Sequence, residues 1–179
     1  MAGGDERERH LVLVGLMGAG KTTVGQRCAE LLDRAFVDTD ELVVAAAGIS
    51  FDELWQAEGE QGFRARERLA VADAVASPVP LVISCGGGAV LDPENRRSLR
   101  RRGVVVWLEA APAELALRLA GDDTRPLLAG GDRATTLERL RSLREPAYEA
   151  AAHVQVDTEG RTVDEVAAAV VEEYHAWNG

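Results

Sequence analysis

Gly15-Leu16-Met17-Gly18-Ala19-Gly20-Lys21-Thr22 satisfies G-x-x-x-x-G-K-[ST] at every fixed position. Each of those positions has a task in holding a triphosphate. Glycines let successive backbone N–H groups curl around phosphate oxygens without Cβ clashes. A helix beginning at the end of the motif points its positive end at the same charge. The lysine reaches the β- and γ-phosphates, and the threonine hydroxyl binds Mg²⁺. Lys21 is also the only lysine of the chain; every other member of the Lys+Arg total of 20 is arginine. A sequence that elsewhere uses the planar guanidinium keeps a compact ammonium at this one position. Gly18, Ala19, Gly20, Lys21, Thr22 and the following Thr23 are therefore expected to hold the phosphates of a nucleoside triphosphate.

Other residues of suitable type are less specific alone. Asp38-Thr39-Asp40 ends a short apolar run. Two carboxylates one residue apart on a strand end point to opposite sides, one toward a metal–phosphate site and the other toward an acceptor. Equally, Thr39 or Asp40 could be the N-cap of a following helix. Gly86-Gly87-Gly88 could form a floor whose amides approach a small polar ligand, or a flexible turn. Arg64 could bind an anion or pair on a helix surface with Glu60 or Glu67. Arg125, in a polar glycine-bearing stretch over 121–133, is a candidate phosphate ligand, since a loop of that length is usually functional or disordered. Arg144 precedes Pro146, which breaks the helix pattern and could aim the arginine inward; both arginines could instead be solvated surface charge.

The elements that must position these residues alternate between strand and helix. Strands are expected at 10–14, 35–38, 81–84, 104–108 and 153–156. Helices are expected at 22–32, 41–47, 51–58, 60–76, 93–101 and 112–120, then a long one to about 150 and a last one after Thr162. Ser50 with Glu53, and Thr162 with Glu165, have capping-box spacing. Short apolar strands alternating with helices imply a parallel sheet covered on both faces, a three-layer α/β/α architecture. Ligands in such sheets bind beyond the carboxyl ends of the strands. The candidate residues on 15–22, 38–40 and 85–88 all follow strands.

Composition narrows the function classes. With 179 residues and a hydrophobic fraction of 46%, one packed domain is expected over 10–179, preceded by a charged tail at 1–9. The net charge of −10 disfavours non-specific binding to nucleic acid. No apolar run is long enough to span a bilayer, so no membrane association is expected. Asp5-Glu6-Arg7-Glu8-Arg9 does not read as a secretory signal, and the expected location is the cytoplasm. Cys28 and Cys85 are read as free thiols rather than a disulfide or metal site.

Taken together, the motifs resemble the shikimate kinase family. The resemblance rests on the P-loop with its Thr-Val-Gly continuation, Asp38-Thr39-Asp40, Gly59-Glu60…Phe63-Arg64…Glu67, Gly86-Gly87-Gly88, Arg125-Pro126-Leu127-Leu128 and Arg144…Pro146…Tyr148, in family order. It implies a P-loop NTPase fold like that of nucleoside monophosphate kinases, with a five-stranded parallel sheet in order 2-3-1-4-5 and a mobile lid at about 121–133. It implies transfer of the γ-phosphate of ATP, the co-substrate, to the 3-hydroxyl of shikimate. The chain is expected to act on these small molecules as a monomer, with no nucleic acid and no membrane as partner. Asp40, Arg64, Gly86, Gly87, Gly88 and Arg144 would then hold shikimate in a region of about 38–67 and beyond, the two arginines taking its carboxylate. Asp40 would also orient the 3-hydroxyl or accept its proton. Lys21, Thr22, Asp38 and Ser84 would serve phosphate and Mg²⁺, and Arg125 would come from the lid. Arg118 and Arg161 would lie near the adenine. Val163 stands where many relatives have proline. A kinase for another small acceptor such as gluconate, and a non-catalytic nucleotide-binding module, are the alternatives.

Overall fold

A computed structural model of the chain describes residues 9–121 and 132–177. His10–Val14 (β1) and Gly103–Glu109 (β4) are runs of Val, Leu and other apolar residues, buried almost throughout. Such near-continuous apolar strands belong at the middle of a sheet covered on both faces. The sheet also contains Phe36–Asp38 (β2), Val82–Ser84 (β3) and Val154–Asp157 (β5). The order is β2-β3-β1-β4-β5 and every pairing is parallel, as expected. Only β5, at an edge, alternates between burial and exposure.

Seven α-helices among the described residues connect the strands: Lys21–Leu32 (α1), Thr39–Ala47 (α2), Phe51–Val75 (α3), Pro93–Arg102 (α4), Pro112–Arg118 (α5), Arg133–Ala151 (α6) and Val163–Ala176 (α7). α1 packs on α7, while α4 packs on α3, α6 and β4. Both capping boxes form: Ser50 with Glu53 opens α3, and Thr162 with Glu165 opens α7. α6 runs through Pro146 rather than breaking there.

The two helices expected at 51–58 and 60–76 are one element, α3, bent at Gly59, whose φ is 66°. Arg66 spans the bend with two bonds to Glu58, at 2.9 and 2.7 Å. α2 and α3, the latter from both sides of its bend, enclose a small core of their own, built on Val43, Leu54, Phe63 and Ala70. Phe51 stacks on Trp55 and meets Phe63 edge-on beside it. The main core lies under the sheet strands.

Register brings the site together. Ser84 pairs with both Asp38 and Leu13, so β1, β2 and β3 end at one level. The residues after those strands share the carboxyl edge of the sheet, where ligands bind in open α/β folds.

Candidate active site

One cavity of about 1060 Å³ opens on that edge, lined by the P-loop, Asp38, Asp40, Arg64, Gly87, Gly88 and Arg144. It exceeds the ~300–1,000 Å³ of a typical single-ligand pocket. Its length accommodates two ligands: it runs from the α2–α3 aromatic cluster at Phe51 and Trp55, past the P-loop, to Arg118 and Arg161.

At the phosphate end, Lys21 Nζ donates to the carbonyls of Gly15 and Leu16 at 2.8 and 2.9 Å. The ammonium is thus folded over the loop whose amides it complements. Thr22 Oγ1 donates to Asp38 Oδ2 at 3.0 Å. Ser84 Oγ lines the same cavity, is buried and has no hydrogen-bond partner among the described residues. A hydroxyl, a carboxylate and an unsatisfied buried oxygen are the donor types a hard cation takes. These residues therefore fit Mg²⁺.

The Asp38–Asp40 segment differs from its expected form. Asp38 is the N-cap of α2, its Oδ1 accepting the Asp40 N–H at 2.9 Å, so neither Thr39 nor Asp40 has that role. Strand alternation does not separate the two carboxylates, because the chain turns helical at Thr39 and places Asp40 in the first helical turn. Thr39 is fully buried and its Oγ1 accepts the Gly86 N–H at 2.9 Å. That bond ties the start of α2 to the glycine floor.

The acceptor end is built on two arginines. Arg64 does not choose between Glu60 and Glu67: it bonds both, at 3.3 and 2.7 Å, while its guanidinium lies against Gly88 and lines the cavity. A Cβ at Gly88 would land inside the guanidinium. Glu67 is 1% exposed, and burial pushes its carboxyl up while Arg64 pulls it down and Asp40 pushes it further up. Asp40 and Glu67 converge on the α-carbon of Gly86, where a Cβ would collide with both carboxylates. Arg144 is only 4% exposed yet reaches the cavity, so it is aimed inward, although α6 stays helical.

At the far end, Arg118 donates to Thr158 Oγ1 and to the Thr158 carbonyl, both at 3.0 Å, and pairs with Glu114 at 3.0 Å. Arg161 donates to the carbonyls of Asp157 and Glu165, each at 3.1 Å. Val163 is the first residue of α7 and lines the cavity. Proline is favoured at a first helical position because that N–H is unpaired anyway, and valine fits there without altering the cap. Arg125 and residues 122–131 of the expected lid lie outside the described residues.

Three contributors were not singled out from sequence. Glu67 was visible as a possible surface partner of Arg64 and as one residue of a family motif, with no role of its own assigned. Thr39 and Thr158 act through hydrogen bonds to backbone amides or carbonyls, for which residue type carries no distinctive signal. Cys85 lines the cavity but is fully buried and its thiol is pushed far up by burial, which leaves it an inert wall.

Comparison with known proteins bears on this arrangement. The family model described as shikimate kinase matches residues 17–175. A shikimate kinase of Symbiobacterium thermophilum is 50% identical over 165 residues, covering 91% of this chain and 94% of the relative. A shikimate kinase of Francisella tularensis subsp. novicida is 41% identical over 160 residues, covering 89% and 91%. The solved structure of shikimate kinase from Acinetobacter baumannii in complex with shikimate superposes with a TM-score of 0.91 at 34% identity, covering 96% of this chain and 95% of that one.

Proposed function

This chain belongs to the shikimate kinase family, and on that premise we propose that it transfers the γ-phosphate of ATP to the 3-hydroxyl of shikimate, giving shikimate 3-phosphate and ADP. The observation that carries the proposal is the convergence of Asp40, Arg64 and Arg144 on the cavity that also contains the P-loop. Two guanidiniums suit a carboxylate, which they can grip through paired N–H donors. The glycine floor lets a flat hydroxylated ring lie close to backbone.

In this assignment Arg64 and Arg144 fix the shikimate carboxylate, and Asp40 faces its hydroxyls. As the 3-hydroxyl oxygen bonds to the γ-phosphorus, its proton passes to an Asp40 carboxylate oxygen. The bond from phosphorus to the β,γ-bridging oxygen breaks and ADP leaves. Lys21 and the loop amides stabilise the charge on the phosphoryl oxygens, which is the main demand of this reaction. Thr22 and Asp38, with Ser84 beside them, would hold Mg²⁺; when bound, the ion neutralises charge across the β- and γ-phosphates. Arg118 and Arg161 flank the adenine. Arg125 completes the site from a lid over 121–133, within a single kinase domain spanning 10–179. The chain is assigned as a cytoplasmic monomer, where ATP is abundant; light scattering and cell fractionation test those two points. Among the described residues no helix is long and apolar enough to cross a membrane.

The decisive experiment is ADP release with ATP and Mg²⁺ across shikimate, gluconate and AMP. Turnover is expected with shikimate and little with the others. Equal turnover of AMP or gluconate overturns the assignment.

A further inference from the structure

Tyr148 is 1% exposed, and its ring stacks on Trp107 with centroids 5.5 Å apart and planes 24° from parallel. Burial pushes its phenol up to about 12, so it holds its proton at neutral pH. That proton is donated to the carbonyl of Gly87 at 2.5 Å. The phenol also lies close enough to Arg144, one helical turn earlier on α6, to feel its charge.

The bond acts on a peptide that has little else to orient it. On one side, the Gly86 N–H is committed to Thr39 and the Gly86 carbonyl accepts from Ala89 N at 3.0 Å. On the other, the Gly88 carbonyl accepts from Leu91 N at 3.0 Å. Between them stands the peptide joining Gly87 to Gly88. Two glycines impose almost no steric preference on its plane. In a trans peptide the carbonyl and the next N–H point in opposite directions. A carbonyl held toward Tyr148 therefore turns the Gly88 N–H away from α6. Both glycines line the cavity, and a Cβ at Gly87 would sit 3.3 Å from Arg144 Nη1 and 3.5 Å from the Gly15 carbonyl. The peptide thus lies where the P-loop meets the acceptor arginine.

We propose that Tyr148 is a positioning residue for the acceptor: its hydroxyl selects the peptide orientation that presents the Gly88 N–H to the bound acid, in a peptide flanked by Arg144 at the Gly87 α-carbon and by Arg64 at the Gly88 α-carbon. It acts through Gly87, not by touching substrate. The inference rests on the function proposed above, and it separates the three glycines by task. Gly86 supplies space between Asp40 and Glu67, Gly87 is the handle, and Gly88 is the donor.

Tyr148→Phe in the full chain removes the hydroxyl and keeps the ring. One neutral hydrogen bond contributes ~0.5–1.5 kcal/mol, so the KM for shikimate should rise about three- to tenfold while the KM for ATP stays within about twofold. Trp107→Phe loosens the stack but leaves the hydroxyl, and should shift the urea midpoint without the selective change in shikimate KM. In the wild-type chain, shikimate should move the amide resonance of Gly88 and leave that of Gly86 nearly still, a measurement that needs no variant. Unchanged shikimate KM in Tyr148→Phe, equal change for both substrates, the same selective change in Trp107→Phe, or an unmoved Gly88 resonance would each overturn the inference. Wild-type protein that fails to phosphorylate shikimate sinks the assigned function first, and this inference with it.

Discussion

Arg64 donates to the buried Glu67 carboxylate at 2.7 Å, from a guanidinium that also forms part of the cavity wall. An arginine side chain carries ~2 kcal/mol of rotamer freedom, and a partner on its own helix removes much of that cost before any acid arrives. Glu67 in turn is buried with one oxygen unpartnered among the described residues, so Arg64 is its main compensation.

Glu67→Ala should therefore injure both stability and binding. Removing one partner of a buried pair typically costs ~3–5 kcal/mol because the other charge is stranded. Arg64 retains Glu60 and some solvent contact, so the lower part of that range is expected, on the order of 3 kcal/mol. Urea unfolding checks the stability, and calorimetry with shikimate should show affinity lowered at least tenfold with nucleotide affinity unchanged. A variant as stable and as tightly binding as wild type would show that Arg64 needs no anchor.

Asp40→Asn separates charge from shape. Asp40 lies in the first turn of α2, where its backbone N–H is already held by Asp38, so the helix start does not depend on its carboxylate. Removing a general base lowers kcat by ~10²–10⁴-fold. The expected result is a kcat loss of that order with ATP affinity retained. Near-normal kcat would remove Asp40 from the chemistry.

Gly88→Ala tests the close approach of floor and arginine. The added methyl meets Arg64 at its guanidinium, and the backbone on both sides is pinned by neighbouring hydrogen bonds. Arg64 must swing away, so shikimate KM should rise at least tenfold, with the ATP KM nearly constant. If steady-state kinetics showed both KM values unchanged, the side chain would have room that the structure does not give it.

These residues differ in how far their roles could be read from the chain. The P-loop was legible because its local spacing is its geometry, and Lys21 is singled out by the absence of any other lysine. Alternation of strands and helices was enough for a parallel sheet, while the strand order rested on the family resemblance. Asp38 does end β2, but Asp40 was misread as sharing its strand alternation, because the chain turns helical at Thr39, directly after the strand. Arg64 looked like a surface residue because i,i+3 and i,i+4 spacing to Glu67 and Glu60 is the same on a buried and an exposed helix face. What buries Glu67 is packing against distant elements, the glycine floor among them. Boundaries moved by only one or two residues at most ends, as at β4, which begins at Gly103 and closes at Glu109.

His153 offers a test outside the site. Its backbone N–H donates to the Val105 carbonyl at 2.8 Å, and its ring Nδ1 accepts the Val105 N–H at 2.9 Å. The side chain thus extends the β4–β5 ladder by one bond, and it does so only while Nδ1 keeps its lone pair. The ring packs on Trp177 with centroids 4.6 Å apart, and the positive charges of Arg100 and Arg9 lie nearby. Burial first, then those two arginines, lower its pKa to about 4. In the unfolded chain a histidine titrates near ~6.5. Between those values the unfolded state binds more protons, so the contribution of His153 is complete above about 6.5 and is lost as pH falls toward about 4. His10 should act in the same sense: its pKa is lowered, mainly by burial, and its Nδ1 accepts the Leu81 N–H at 3.0 Å. His153→Asn retains an oxygen acceptor near the Nδ1 position and cannot be protonated in this range. Urea midpoints measured from pH 7.5 to 5 should fall for wild type and fall less steeply for His153→Asn, with the two curves diverging most below pH 6.5. Parallel curves over that range would mean that His153 is free to take a proton in the folded state, and that the Val105 bond does not hold it neutral.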